Sequence, residues 1–421
     1  MEKNELLSNI LKFEVTPALG CTEPVAVAYA VAKAKETVSG KIEKLDIIVD
    51  RNVFKNSMAV KIPGSDKKGL KFAGALGIVG GNSNYKLEVL KDISKNDIVK
   101  AQQLVEQDII HVSLKNDAKN LYIEVVAWTS NENARVVIEN KHDEITLIEK
   151  NGKEVYQKNP SLEDRDSYME LIKSFMIADF KKYADEIELD KIQIVEQGIK
   201  MNKRMAEAGL KNICKTASID VPDEKVDFTK YAKMLTSAAC YARMSGYLLP
   251  VMSCAGSGNH GLTAILPVVA AGEVKGINSE TVARGVTLSL LITIFVKSFT
   301  GILSPVCGCG VAAGVGASAG ITYILGGTLS QIEGAINNMI GGIPGIICDG
   351  GKPGCAFKLS ISSNAAVEAA IMALNDFFIS SEEGIVAKTA EDSIKNLGKV
   401  STEGMHDTDE VILEVMMTKS V

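Results

Sequence analysis

The sequence has no basic block, no aromatic run of the kind RNA-binding sheets present, and no zinc-finger cysteine spacing. Lys and Arg are scattered along the 421 residues and the formal net charge is −6. Nucleic acid is therefore not the partner this pattern predicts. The first residues, MEKNELLSNILKFEV, lack a long apolar stretch and carry Glu2 and Glu5. No secretory signal is read there, and a cytoplasmic protein is expected. Eight cysteines in 421 residues are too few for a disulfide scaffold. In a reducing compartment, clustered cysteines point instead to metal binding or catalysis. No internal repeat and no low-complexity linker is visible.

Charge is absent from Ser298 to Ile332, a run long enough to span a bilayer. Pro305 and many Gly and Ala interrupt it, large apolar residues are few, and the flanks show no Lys/Arg asymmetry. Tightly packed core helices around a buried site are the expectation. A transporter-like protein with broken helices is the rival reading.

The hydrophobic fraction of 46% allows a sizeable core. Residues 1–40 read as a helical segment that packs with the catalytic part of the chain. Residues 41–155 change character. KLDIIVD, SMAVKIP, DIIHVSL, LYIEVVAWT, ARVVIEN and EITLIEK read as strands by β-branched content and alternation. KGLKFAGALGIVGG and KNDIVKAQQLVEQ read as helices between them. Residues 156–421 return to helices; Asn278 followed by Glu280 marks one helix start, and NAAVEAAIMALNDFF is amphipathic. The expected fold class is α+β: a largely helical catalytic domain with an inserted mixed α+β domain built on an antiparallel sheet.

The late cysteines Cys307, Cys309, Cys348 and Cys355 sit in SPVCGCGVAAGVG and GIICDGGKPGCAFK, each within two residues of a glycine. Thiolates bind soft metals and iron–sulfur clusters, and ligation needs a free backbone nearby. A lone cysteine in an apolar helix, such as Cys240, is better read as a small hydrophobe. Four in Gly/Pro-rich turns favour ligation. Zinc knuckles use paired C-x-x-C spacing and electron-transfer ferredoxins use C-x₂-C-x₂-C; neither occurs here.

Other candidates are local. Cys21 and Thr22, in TPALGCTEP, lie at a helix start, where the dipole lowers a thiol pKa and free N–H groups bind a carboxylate; a capping turn with a buried cysteine is an equal alternative. Ser257, Asn259 and His260 fall in SCAGSGNHG, a Gly-rich turn able to grip an amino acid or merely to cap a helix. Asn52, Lys55 and Asn56 lie in RNVFKNSMAVKIPG, read as a connection between two strands.

Together TPALGCTEPVAVAYA, NVFKNSMAVKIPG, SCAGSGNHG, SPVCGCGVAAGVGASAG and ICDGGKPGCAFK resemble the L-cysteine desulfidase family over nearly the whole chain. That family is in turn similar to the iron–sulfur L-serine dehydratases. In the dehydratases a P-S-S-S-H-T loop takes the place of Pro17 to Thr22, so their histidine falls on Cys21. Their T-C-D-P…V-P-C run matches Ile347 to Gly350 and Gly354 to Cys355.

The resemblance implies a [4Fe–4S] cluster with three cysteine ligands and one open iron: Cys348, Cys355 and either Cys307 or Cys309. Matching upstream residues favours Cys309; matching the downstream ASAG…LGG spacing favours Cys307, the preferred choice. Serine dehydratases fill the open iron with a cysteine of their own tail, and EVILEVMMTKSV here has none. The implied activity is β-elimination of L-cysteine to sulfide, pyruvate and ammonia. Cys21 as thiolate is the expected base, with Thr22, Ser257, Asn259, His260, Lys55 and Asn56 around the substrate. An L-serine dehydratase and a non-catalytic iron–sulfur or sulfur-carrier protein are the alternatives. A homodimer is compatible with the apolar helices.

Overall fold

A computed structural model of the chain describes residues 3–115, 118, 121–158, 165–217 and 227–419. Two hydrophobic cores organise them, one under a six-stranded sheet and one among helices.

The sheet comprises β2 (Lys44–Val49), β3 (Ile110–Leu114), β4 (Tyr122–Trp128), β5 (Asn133–Glu139), β6 (Ile145–Lys150) and β7 (Lys153–Gln157), in the order β3-β2-β4-β5-β6-β7. Alternation sets its inner face: Leu45, Ile47 and Val49 of β2 are fully buried, as are Ile123 and Val125 of β4. The helices Thr22–Thr37 and Leu70–Val79 cover that face. Helix Lys3–Glu14 packs in the larger core, whereas Thr22–Thr37 buries its Ala/Val side in the sheet core.

Three strand-level expectations are corrected. The sheet is mixed, because β2 and β3 pair in parallel, with Ile47 opposite Val112. The helices Arg51–Ser57, Leu70–Val79 and Lys95–Glu106 lie between them and supply the crossover that parallel pairing needs. SMAVKIP forms no strand. It holds one bridge, Lys61 to Lys68, because the chain turns back at Gly64 (φ 76°), and it buries Val60 in the helical core and Ile62 in the sheet core. Residues 51–57 are a helix rather than a strand connection. Asp50 caps it, its Oδ1 accepting from the amides of Asn52 (2.8 Å) and Val53 (3.2 Å). Its Oδ2 accepts from the amide of Tyr122 at 2.9 Å, fixing this helix to β4.

The larger core stacks Gly258–Lys275, Ser279–Thr300, Ala312–Ile324 and Cys355–Leu374. Small residues set the spacing. A Cβ at Gly316 would lie 2.2 Å from Thr293 Oγ1. The glycines of this region thus serve helix approach as well as the turns. Ser279–Thr300 is long and apolar enough to cross a membrane, but 83% of its most apolar stretch is buried inside the fold, as a core helix is. The uncharged run from Ser298 onward divides into the end of this helix, a cysteine loop, the buried helix Ala312–Ile324 and the start of Leu329–Gly342.

A small ribbon joins distant parts of the chain. β1 (Pro17–Leu19) pairs antiparallel with β8 (Pro250–Met252), Ala18 opposite Val251. Neither strand is evident in the sequence, since each is three residues long and lacks visible alternation. The ribbon sets the loop of Cys21 beside the turn that precedes helix Gly258–Lys275.

Candidate active site

Four loops converge on one cavity at the junction of the two cores. Its enclosed space is small, about 70 Å³. Cys21, Asn56, Ser257, Asn259, His260, Cys307, Cys309, Cys348 and Cys355 all line it. Residues separated by more than three hundred positions thus share a wall.

Backbone hydrogen bonds hold the cysteine loops to each other. Cys348 N donates to the Pro305 carbonyl at 2.7 Å, Cys307 N donates to the Ile346 carbonyl at 2.7 Å, and Val306 bridges Ile347. Cys307 and Cys348 therefore stand on adjacent rungs. Gly350, at φ 90°, turns the second loop; a Cβ there would lie 2.7 Å from the Lys55 carbonyl oxygen. Cys355 opens the helix Cys355–Leu374, and its thiol lies 3.6 Å from the Gly350 carbonyl oxygen.

As thiols these groups resist ionisation. Hydrogen bonding to Cys309, opposed by Cys348, together with burial, pushes Cys307 up to about 12. Hydrogen bonding to Cys307 and burial raise Cys348 well above the ordinary thiol value. A soft cation is what converts such a set into thiolates.

The turn Cys254–Ser257 closes through reciprocal bonds of 3.1 Å between the amides and carbonyls of those two residues. Ala255 (φ 47°) and Gly256 (φ 80°) both occupy the left-handed region, a strained choice for alanine. The turn aims Ser257 at Cys309, with Oγ and Sγ 3.9 Å apart. His260 Nδ1 lies 3.0 Å from the Cys254 carbonyl, which can only accept, so Nδ1 carries the hydrogen. The Nε2 edge then faces Gly308, where an added Cβ would lie 2.3 Å from it.

Cys21 departs from the expected thiolate. It is the N-cap of helix Thr22–Thr37 but makes no side-chain capping bond. Its Sγ donates to Glu23 Oε2 at 3.0 Å. Burial and the Glu23 charge raise the thiol well above its ordinary value, against the pull of Arg243. A helix dipole contributes about 0.3–1 kcal/mol, less than a full desolvation plus an adjacent carboxylate. Burial and Glu23 thus favour the thiol form of Cys21 over the thiolate.

Glu23 is its charged partner. Burial alone raises this carboxyl, but His142 and the hydrogen bonds from Cys21 and Asn56 outweigh that and hold it below its usual range. Asn56 Nδ2 donates to Oε1 at 2.7 Å, and Thr22 Oγ1 donates to Oε2 at 3.0 Å.

Two of the expected substrate-binding residues are not among those lining the cavity. Thr22 turns its hydroxyl to Glu23 and does not line the cavity. Lys55, 1% exposed, sends Nζ to the Cys348 carbonyl at 3.1 Å and to Asp409 Oδ1 at 2.5 Å. It steadies the cysteine loop from behind. Asn56 does reach the cavity, its Oδ1 standing 4.0 Å from Cys348 Sγ.

Sequence reasoning passed over Glu23, Arg243, His142, Lys297 and Lys358, which also line the cavity. Glu23 was visible two positions after Cys21. Arg243 carried a signal as a charge in an apolar helix. His142 carried none: it is 2% exposed in the β5–β6 connection, and only the tertiary fold brings that connection to the site. A neighbouring cavity shares Asn52, Ile302, Leu303 and Ser304 with this one and adds Arg51, Thr402 and His406.

The donor set fits an iron–sulfur cluster. Soft sulfur donors dominate one wall, on loops already tied together, and buried cations surround them: Lys55, Lys297 and Arg243 are each at most 2% exposed. Among the described residues no three His, Cys, Asp or Glu side chains gather tightly enough for a single metal ion.

Residues 84–414 match the family described as serine dehydratase alpha chain. Over its full length the chain is 52% identical to a UPF0597 protein of Clostridium tetani, with 100% of both chains covered. It is 48% identical to a UPF0597 protein of Caldanaerobacter subterraneus subsp. tengcongensis over 98% of each chain. A UPF0597 protein of Clostridioides difficile is 44% identical over 97% of this chain and 98% of its own.

Proposed function

The chain belongs to the serine dehydratase alpha chain family, related to the iron–sulfur serine dehydratases, and on that premise we propose that it is an iron–sulfur lyase that β-eliminates sulfide from L-cysteine. The observation that carries this reading is the meeting of Cys307, Cys309, Cys348 and Cys355 in one cavity with the Cys21–Glu23 couple.

Cys307, Cys348 and Cys355 would hold a [4Fe–4S] cluster, with Cys309 the alternative to Cys307. When bound, such a cluster supplies an open iron that acts as a Lewis acid toward the leaving sulfur without a change of redox state. A thiol substrate suits iron better than a hydroxyl does.

The remaining work falls to the chain's own residues. The α-proton of an amino acid is weakly acidic, so a positioned base must take it. Cys21 is a thiol at rest. In this reading Sγ receives the α-proton as its own proton passes to the Glu23 carboxylate, so the couple acts as one base whose proton ends on Glu23. The Cα–H electrons form the Cα–Cβ double bond, and the Cβ–S pair leaves with sulfur. The resulting aminoacrylate tautomerises and is hydrolysed by water to pyruvate and ammonia. Ser257, Asn259, His260 and Asn56 orient the amino acid. No oxidant is needed, and a cytoplasmic setting with free L-cysteine is consistent with the chemistry.

The family favours one further reading, L-serine as substrate with water as leaving group. The test is anaerobic purification with iron and acid-labile sulfide counted per chain, then assays of sulfide and pyruvate from L-cysteine and of pyruvate from L-serine. Equal sulfide and pyruvate from L-cysteine is the expected result. Pyruvate from L-serine alone would move the assignment to the dehydratase. A cluster without pyruvate from either would leave a carrier protein.

A further inference from the structure

Arg243 is among the largest fully buried side chains of the molecule, 1% exposed, in the last turn of helix Phe228–Met244. It lines the cavity. Its hydrogen-bond partners are neutral: Nη1 donates to Asn259 Oδ1 at 2.9 Å, and Nη2 donates to the Gly20 carbonyl. Nε is buried without an acceptor. Among the described residues no carboxylate lies within ion-pair distance of the guanidinium, whereas Lys55 and Lys358 on the same side of the fold have Asp409 and Asp349.

A guanidinium does not escape this cost by losing its proton. Burying one without a counter-anion is expensive. The backbone is shaped to keep it there. A Cβ at Gly258 would lie 2.5 Å from Nε, so the first residue of helix Gly258–Lys275 must be glycine while Arg243 occupies the site. The guanidinium also spans the two loops that matter, touching Gly20 beside Cys21 and Asn259 of the 257–260 turn.

We propose that Arg243 is the anchor for the substrate α-carboxylate, and that it restricts the cavity to α-amino acids with a free carboxylate. The inference rests on the lyase reading for the identity of the ligand, but not for the binding chemistry. A planar fork of N–H donors matches a carboxylate, and a buried fork without an anion is completed by one. The bond to the Gly20 carbonyl would set a carboxylate held there beside the loop that carries Cys21. The ester, the amide and the decarboxylated amine of the same amino acid leave the charge unpaired and are rejected. The other donors of the turn are then left for the ammonium group and the leaving atom.

The test uses L-alanine and L-alaninamide, which lack a leaving group and differ only at the carboxylate. Their binding to the holoprotein is measured by calorimetry. L-alanine should bind wild type about 100-fold more tightly than the amide. In Arg243→Lys, which keeps the charge but not the fork, that ratio should fall below about 10-fold. KM for L-cysteine should rise about 100-fold with kcat changed only a few-fold. Equal binding of the two probes to wild type overturns the proposal, whether or not the variant folds. So does a variant with lowered kcat and stability but an unchanged probe ratio, the signature of a purely structural arginine. If wild type discriminates the probes yet forms no pyruvate, the lyase reading fails and the anchor stands.

Discussion

Lys55 Nζ lies 3.1 Å from the carbonyl oxygen of Cys348, so a helix of the sheet-bearing part of the chain grips the backbone of a proposed cluster ligand. The same ammonium is neutralised by Asp409 of the C-terminal helix Thr408–Met417. Three regions distant in sequence are thus tied at one nitrogen.

Lys55→Met should destabilise the chain by about 3 kcal/mol, since it leaves Asp409 unpaired at a mostly buried position. Adding Asp409→Asn should recover part of the loss. Urea denaturation measures the stability, and iron content during aerobic dialysis measures the grip on the Cys348 loop. Unchanged iron retention in Lys55→Met would separate this lysine from the cluster loop.

Single cysteine replacements should sort into two groups. Cys348→Ala and Cys355→Ala should lose the cluster, read as iron and labile sulfide per chain. Cys307→Ala should join them, because Cys307 N itself donates to Ile346 of the Cys348 loop, whereas Cys309→Ala should keep most of its iron. The reverse pattern at 307 and 309 would reassign the third ligand. Cys21→Ala should keep the cluster and lose turnover; loss of cluster there would make Cys21 a ligand.

Glu23→Gln removes the charge that helps raise the Cys21 thiol. Turnover should fall by about 10²–10⁴-fold with the cluster retained. Cys21, 5% exposed, should react slowly with iodoacetamide in wild type and faster in the variant at the same pH, because more of it is thiolate. Full activity in Glu23→Gln would refute the couple.

Asp349 lies between Cys348 and Gly350. Burial raises its carboxyl, but Lys352 and Lys358 outweigh that and bring it down to about 2. A carboxyl depressed in the folded state adds stability above its unfolded value, near 4, and that stability is lost as pH falls through about 2. Wild type should therefore exceed Asp349→Asn in stability at about pH 6, and the gap should shrink steadily toward about pH 2.5. Urea midpoints at several pH values measure it. Acid loss of the cluster is common to both chains and cancels in the difference. A constant gap would show that the ion pairs contribute nothing.

Much of the helical part was legible because its signals are local. Asn278 does begin a helix, its Oδ1 accepting from Thr281 N at 2.9 Å. NAAVEAAIMALNDFF falls largely within Cys355–Leu374, though that helix starts earlier, at the cysteine itself. The strand misreading at SMAVKIP has a clear source. Its alternating apolar residues serve two different cores rather than one sheet face, and periodicity cannot distinguish these. The parallel placement of β3 likewise depended on a three-helix crossover that no strand pattern records.

For the site, the sequence by itself supplied the chemical inventory: the soft donors Cys307, Cys309, Cys348 and Cys355, the glycines that let their loops turn, and the small polar turn at Ser257 to His260. Residue type and neighbouring glycine are local properties, and they survive without a fold. What each group does was decided by tertiary structure. The Cys21 thiol is pushed up because burial and the Glu23 carboxylate outweigh a helix dipole. Lys55 steadies a loop because Asp409, from the far end of the chain, lies beside it. Arg243 and His142 enter the cavity because β1 pairs with β8 and the β5–β6 connection reaches over the junction. Charge state and partnership depend on desolvation and on neighbours hundreds of residues away, and only the closed fold puts those neighbours in place.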